Sequence, residues 1–228
     1  MKKTTSFAFI IVVLAGLSWA GYALYKTQNT ESRVNTPATQ AEKGETKIIA
    51  VGDSLTAGYG LPLAESYPMQ LENKLQENGF SVEVINAGVS GETTAGLLER
   101  VEFIKSNEPE MILITIGGND ALRNLPIENT EKNIRAILRV FKEVVPGENI
   151  FLMQVRSPLN AGLAYATRFN AIYTDLAKQE GVHLVPFVET EVFLNSDLML
   201  EDRIHPNKAG YAKLIEKYIY KAVAAELR

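Results

Sequence analysis

Asp202 and His205 stand three residues apart in Glu201-Asp202-Arg203-Ile204-His205-Pro206, and far upstream Ser54 closes an apolar run in Gly52-Asp53-Ser54-Leu55. A hydroxyl, an imidazole and a carboxylate are the minimum set for acyl transfer through a serine: a nucleophile, a base that takes its proton, and a group that orients the base. The chain has only two histidines, so the choice of base is nearly forced. The other, His183, lies in Gly181-Val182-His183-Leu184-Val185-Pro186, which reads as a short strand. A packed or surface strand histidine accounts for it.

Taken alone, a serine beside glycine is a turn or cap residue. Ser54 gains interest from its place at a strand end, where its backbone N–H can face an anion. The segment is not a phosphate loop, because no Gly-Lys-Ser/Thr follows, and Thr56 replaces the second glycine of a Gly-x-Ser-x-Gly elbow. Two further segments have the same character. Asn86-Ala87-Gly88-Val89-Ser90-Gly91-Glu92-Thr93-Thr94 lets backbone approach a ligand closely, with Thr93 suited to cap a helix. In Gly117-Gly118-Asn119-Asp120, the Asn119 amide can point a donor outward, while Asp120 is read as a cap or brace.

The elements that must position these residues alternate. Strands are expected at Ile48–Val51, Val82–Ile85, Met111–Ile116, Ile150–Val155 and Val182–Val185. Helices are expected at Tyr67–Asn78, Thr94–Lys105, Glu128–Val145 and about Ala166–Gln179. A last helix carries the apolar stripe Tyr211, Leu214, Ile215, Tyr218, Ile219, Ala222 and Val223. Strand–helix alternation predicts an α/β fold: a five-stranded parallel sheet with helices on both faces, joined by right-handed crossovers. Ligands in such folds bind beyond the carboxyl ends of the strands. Ser54, Gly91, Asn119 and the Asp202–His205 pair follow strands one, two, three and five, so four separated segments meet on one rim.

Gly52-Asp53-Ser54-Leu55, Gly91 within Gly-Val-Ser-Gly, Gly117-Gly118-Asn119-Asp120 and Asp202-x-x-His205 resemble, in order, the four blocks of the GDSL or SGNH hydrolases. Thr56-Ala57-Gly58-Tyr59-Gly60 and Met153-Gln154-Val155-Arg156 are similar to the bacterial periplasmic acyl-CoA thioesterase/arylesterase/lysophospholipase branch. The resemblance covers about Lys47 to Arg228. It implies a three-layer α/β/α, flavodoxin-like sandwich. It also implies Ser54 as nucleophile, His205 as base then acid, and Asp202 as orienting group. The oxyanion hole would be the Ser54 and Gly91 N–H groups with the Asn119 side chain. Asp202 and His205 would meet on one turn before a helix begun by Pro206.

The resemblance implies a broad acyl-ester specificity: aryl esters, lysophospholipids and thioesters. The alternatives are a carbohydrate or cell-wall O-acetyl esterase and, in another class, a tethered binding module without turnover, against which the intact residue set argues. Leu122, Pro158 and Leu159, within apolar loop stretches beside the rim, are candidate substrate contacts.

Composition narrows the rest. A chain of 228 residues with 46% hydrophobic content suits one domain plus an extension. The absence of cysteine removes disulfides, thiolate metal sites and a cysteine nucleophile. With two histidines besides, neither a metal nor a cofactor is expected. Lys2 and Lys3 precede an uncharged run from Thr4 to Tyr25, which predicts a signal peptide or membrane anchor over residues 1–26. Residues 27–46 read as a polar linker and 47–228 as the hydrolase domain. The lysines favour the cytoplasmic side, so the domain would be exported to the periplasm or a similar space, touching the membrane only through an uncleaved terminus. The first 46 residues carry five basic and three acidic side chains against −4 overall, so the remainder is at about −6. An acidic domain without a basic stripe argues against nucleic acid as partner.

Overall fold

The structure, a computed structural model, describes residues 45–158 and 162–227. Residues 1–44, which hold the N-terminal segment and nearly all of the linker predicted from sequence, and Leu159 among the candidate substrate contacts, lie outside the described residues; Thr46, the last linker residue, already belongs to the first strand. Among the described residues no helix is long and apolar enough to cross a membrane.

Five strands form one parallel sheet: β1 (Thr46–Gly52), β2 (Val82–Gly88), β3 (Met111–Thr115), β4 (Ile150–Gln154) and β5 (His183–Pro186), in the order β2-β1-β3-β4-β5. This is the doubly wound order whose direction reverses between β1 and β3, and a crevice opens at such a reversal. The central strands are apolar on both faces because both faces are covered. Ile48, Ala50, Met111, Leu113, Phe151 and Met153 pack with one set of helices, and Ile49, Val51, Ile112, Ile114, Ile150 and Leu152 with the other. The first layer holds α2 (Tyr67–Glu77) and the C-terminal helix; the second holds α3 (Thr94–Lys105), α5 (Ile127–Phe141) and α6 (Leu163–Glu180).

Element boundaries move by a few residues, for local reasons. β2 continues through Asn86-Ala87-Gly88, which sequence assigns to a connection, because the register Ala50↔Asn86 to Gly52↔Gly88 holds it extended against β1. α5 stops at Phe141 rather than Val145, and turns carry the chain on to Pro146. α6 begins at Leu163, three residues before its apolar pattern does. The last helix starts at Lys208, not Pro206. Asn207 caps it, accepting the Gly210 N–H at 3.0 Å, while Pro206 bridges to Met199. Its stripe runs through α8 (Lys208–Leu214), a π turn over Ile215–Ile219 and α9 (Tyr220–Glu226).

Candidate active site

β1 ends at Gly52, and the next residues turn at once into α1 (Ser54–Ala57). A Cβ on Gly52 would lie 2.0 Å from the Thr115 carbonyl oxygen, so only glycine lets β1 and β3 approach this closely at their ends. Asp53 caps the short helix, its Oδ1 accepting the Leu55 N–H at 3.0 Å. Ser54 is therefore its first residue, with an N–H that has no intrahelical acceptor.

The second segment arrives from the loop after β5. Arg203 takes φ 56, turning the chain tightly between Asp202 and His205. Asp202 Oδ1 accepts the N–H groups of Ile204 at 2.9 Å and His205 at 3.1 Å, and Oδ2 lies 2.7 Å from His205 Nδ1. On the far side of the ring, Nε2 lies 2.8 Å from Ser54 Oγ. With Nδ1–H donating to the carboxylate, a neutral imidazole presents Nε2 as acceptor for the Ser54 hydroxyl. Partial burial pulls the Asp202 carboxyl up, but the imidazole bond and the two backbone N–H bonds outweigh it and hold the group below the usual aspartate value. This arrangement can draw the hydroxyl proton of Ser54 onto an imidazole whose resulting charge already has a counter-ion.

Gly91 and Asn119 stand on the same rim. Gly91 has φ 82, and its carbonyl accepts from Arg123 Nη2 at 2.7 Å. Asn119, in α4 (Gly118–Leu122), donates from Nδ2 to the Glu92 carbonyl at 3.0 Å and to Asp53 Oδ2 at 3.4 Å. Asp120 braces as expected: it accepts Thr94 N–H at 2.9 Å and Thr94 Oγ1–H at 2.6 Å, tying α4 to the start of α3. Thr93 caps that helix through Gly96 N–H. His183 lies away from this rim on β5, stacked on Phe151 with ring centroids 4.9 Å apart.

Beside the rim runs a cleft of about 320 Å³, lined by Leu55, Leu122, Val155, Pro158, Val188, Phe193, Leu194 and Ile204, with Arg156, Glu189 and Arg203 among its polar residues. Leu55, Gly118 and Ile204, in its lining, are the chain neighbours of Ser54, Asn119 and His205, so the cleft is walled by the same segments that carry them. Of the candidate contacts, Leu122 and Pro158 line it. The neighbouring loop residues do not: Leu163 is largely turned to solvent and Ile127 is in the core. The opposite wall, with Phe193 and Leu194, comes from the short α7 (Thr190–Phe193) and its end. An apolar Val192-Phe193-Leu194 was its only trace in the sequence. Asp53 and Tyr59, whose ring lies over His205, also escaped sequence reasoning. An acidic residue just before a helix start is the cap signal that points to Asp53.

Residues 50–213 match the GDSL-like lipase/acylhydrolase family. An arylesterase of Vibrio mimicus is 35% identical over 188 residues, covering 82% of this chain and 90% of that protein. Thioesterase 1/protease 1/lysophospholipase L1 of Escherichia coli K12 is 38% identical over 162 residues, covering 71% and 76%. Among solved structures, the psychrotrophic esterase EstA of Pseudoalteromonas, inhibited by monoethylphosphonate, superposes with a TM-score of 0.73 at 30% identity, covering 80% of this chain and 98% of EstA.

Proposed function

The chain belongs to the GDSL-like lipase/acylhydrolase family and is a serine esterase, and from that premise we propose that Ser54, His205 and Asp202 carry the reaction on acyl esters with an apolar acyl group. Ser54 Oγ attacks the carbonyl carbon while its proton passes to His205 Nε2. The Ser54 N–H, the Gly91 N–H and Asn119 Nδ2 donate to the oxyanion. His205 returns the proton to the leaving alcohol or thiol as the acyl–oxygen or acyl–sulfur bond breaks, leaving an ester on Ser54. Water then attacks that ester, with His205 taking its proton, and the carboxylic acid departs. An oxyanion donor of this kind typically contributes ~10²–10³-fold in rate.

The observation that carries this reading is the continuous relay of 2.8 and 2.7 Å from Ser54 through His205 to Asp202, at the mouth of an apolar cleft. Leu122, Pro158, Phe193 and Leu194 would hold the acyl chain. Leu159, beside Pro158 in sequence, belongs to the same proposal. The uncharged run after Lys2 and Lys3 supports export of the domain, which favours esters and lipids over cytosolic thioesters.

The test is labelling by a fluorophosphonate probe together with hydrolysis of p-nitrophenyl esters from acetyl to palmitoyl. Wild type is expected to label and to turn over butyryl and longer esters, and Ser54→Ala to do neither. A labelled or active Ser54→Ala overturns the assignment of the nucleophile, and turnover confined to acetyl esters would make the protein an O-acetyl esterase.

A further inference from the structure

Asp53 is 1% exposed, and capping explains only half of its carboxyl. A serine, threonine or asparagine caps a helix as well as an aspartate does and costs less to bury. Only Oδ1 is used in the cap, on Leu55 N–H. Oδ2 faces Asn119 Nδ2 across 3.4 Å, on the side of the site where the proposed oxyanion donors gather. Asparagine in place of Asp53 could keep the cap only by turning its own NH₂ toward the NH₂ of Asn119, donor against donor. Serine would keep the cap and offer Asn119 nothing. An ionised carboxylate is the side chain that accepts on both arms.

We propose that Asp53 is a positioning residue of the acyl-transfer site, its two oxygens fixing the amide of Asn119 against the turn that carries Ser54. This rests on the reading of Asn119 as an oxyanion donor. The Asn119 NH₂ has two hydrogens. One is held firmly by the Glu92 carbonyl at 3.0 Å; the other meets Asp53 Oδ2 at a distance long for a hydrogen bond. That weak contact sets which way the amide faces, oxygen away from Asp53, yet leaves the second hydrogen free to shift to an oxyanion. Asp53 is anchored well enough to do this. Its own N–H donates to the Thr115 carbonyl at 3.2 Å, and its carbonyl accepts from Thr56 and Ala57. It thus joins β1, β3, α1 and α4 at one point.

No cation faces the carboxyl among the described residues acting on it. Its charged and titratable neighbours are Asp120 of α4 and Glu92 of the loop after β2, with the hydroxyls of Tyr67, Tyr173 and Tyr211 from α2, α6 and α8. Burial is the largest influence and pushes Asp53 up to about 7, against the Leu55 and Asn119 hydrogen bonds. A neutral cap at this position would avoid that cost.

The experiment compares wild type, Asp53→Asn, Asp53→Ser and Asn119→Ala, with both Asp53 variants also made in the Asn119→Ala background. Steady-state kinetics use p-nitrophenyl butyrate at pH 8, where Asp53 is ionised, and phosphonate labelling rates and thermal midpoints are recorded alongside. For Asp53→Asn and Asp53→Ser we expect kcat to fall by ~10–10²-fold. KM should stay within about threefold, labelling should slow in parallel, and the melting transition should remain cooperative. In the Asn119→Ala background the same substitutions should cost little more, because both then remove one device. Should Asp53→Asn not fold, Asp53→Ser keeps the cap and is read the same way. Near-wild-type kcat in either folded variant overturns the proposal, and so do losses that multiply in the double variants. Failure of the underlying reading of Asn119 is a separate result, seen as near-wild-type kcat in Asn119→Ala.

Discussion

Tyr59 lays its ring beside the imidazole of His205, with ring centroids 4.7 Å apart and planes tilted by 38°. Its backbone N–H donates to the Ser54 carbonyl at 3.1 Å, so the turn that presents the serine also sets this ring over the proposed base. The contact uses the face of the ring, and the side chain is half exposed. Tyr59→Phe should therefore leave kcat/KM within about twofold. Tyr59→Ala should lower it about three- to tenfold, the scale of one aromatic contact, because the imidazole becomes freer to turn and more hydrated. Equal losses in the two variants would mean that the hydroxyl matters, against this reading. The proposed serine, histidine and aspartate could be singled out in the sequence because four separated segments fall on one predicted rim, where any one of them alone reads as a turn or cap. Tyr59 and Asp53 were not, since an aromatic beside glycine and an acid beside a helix start are common for purely structural reasons. What marks them is a neighbour more than a hundred residues away in one case and a second oxygen facing Asn119 in the other.

Among the elements, α5 and α6 are joined far from the site by one nearly buried carboxylate. Glu180, at the end of α6, lies 3.3 Å from Arg135, 3.4 Å from Arg139 and 3.4 Å from Lys142, all on or just after α5, and Lys142 also donates to the Glu180 carbonyl. Removing Glu180 takes that counter-charge from Arg139 and Lys142, while Arg135 keeps Glu131 at 2.8 Å; with the cations partly exposed, the cost is about 1 kcal/mol. Glu180→Ala should lower the unfolding free energy, taken from a denaturant titration, by that amount with kcat/KM unchanged. A change in activity at unchanged stability would contradict the separation of the two regions. The helices were legible where an apolar face runs over several turns, as in α3. The first turn of α6 left no signal because Leu163 is exposed and falls outside any apolar face, and α7 is four residues long, too short for a period to register. The final stripe was legible, whereas the π turn within it was not. The extra residue in that turn keeps Ile215 and Ile219 buried while Tyr218 is only partly covered.

For the molecule as a whole, alternation of strands and helices was enough to predict a parallel sheet and a shared rim, because crossovers have one hand. The order β2-β1-β3-β4-β5 was not contained in that pattern. It came instead from the resemblance, which implied a flavodoxin-like sheet, and Gly52 against Thr115 is one close approach that this order requires. The same assembly seals Asp53 away from water and makes global stability depend on pH through one residue of the site. An aspartate raised from 3.8 to about 7 keeps its proton in the fold while the unfolded chain has already released it. Between those values the unfolded state binds fewer protons, so stability falls as pH rises, and it levels off above about 7. At roughly 1.4 kcal/mol per pH unit the whole descent is on the order of 4 kcal/mol. Asp202, Glu128, Glu180 and Glu191 are shifted down instead. Their contributions are intact above the ordinary carboxylate values and are lost only as pH falls below them, leaving the window from about 5 to 7 to Asp53. Denaturant midpoints measured at pH 5, 6, 7 and 8 should decline in the wild type and stay nearly level in Asp53→Asn, whose side chain has no proton to lose. Parallel curves for the two proteins would show that the Asp53 carboxyl is not the group that couples folding to pH.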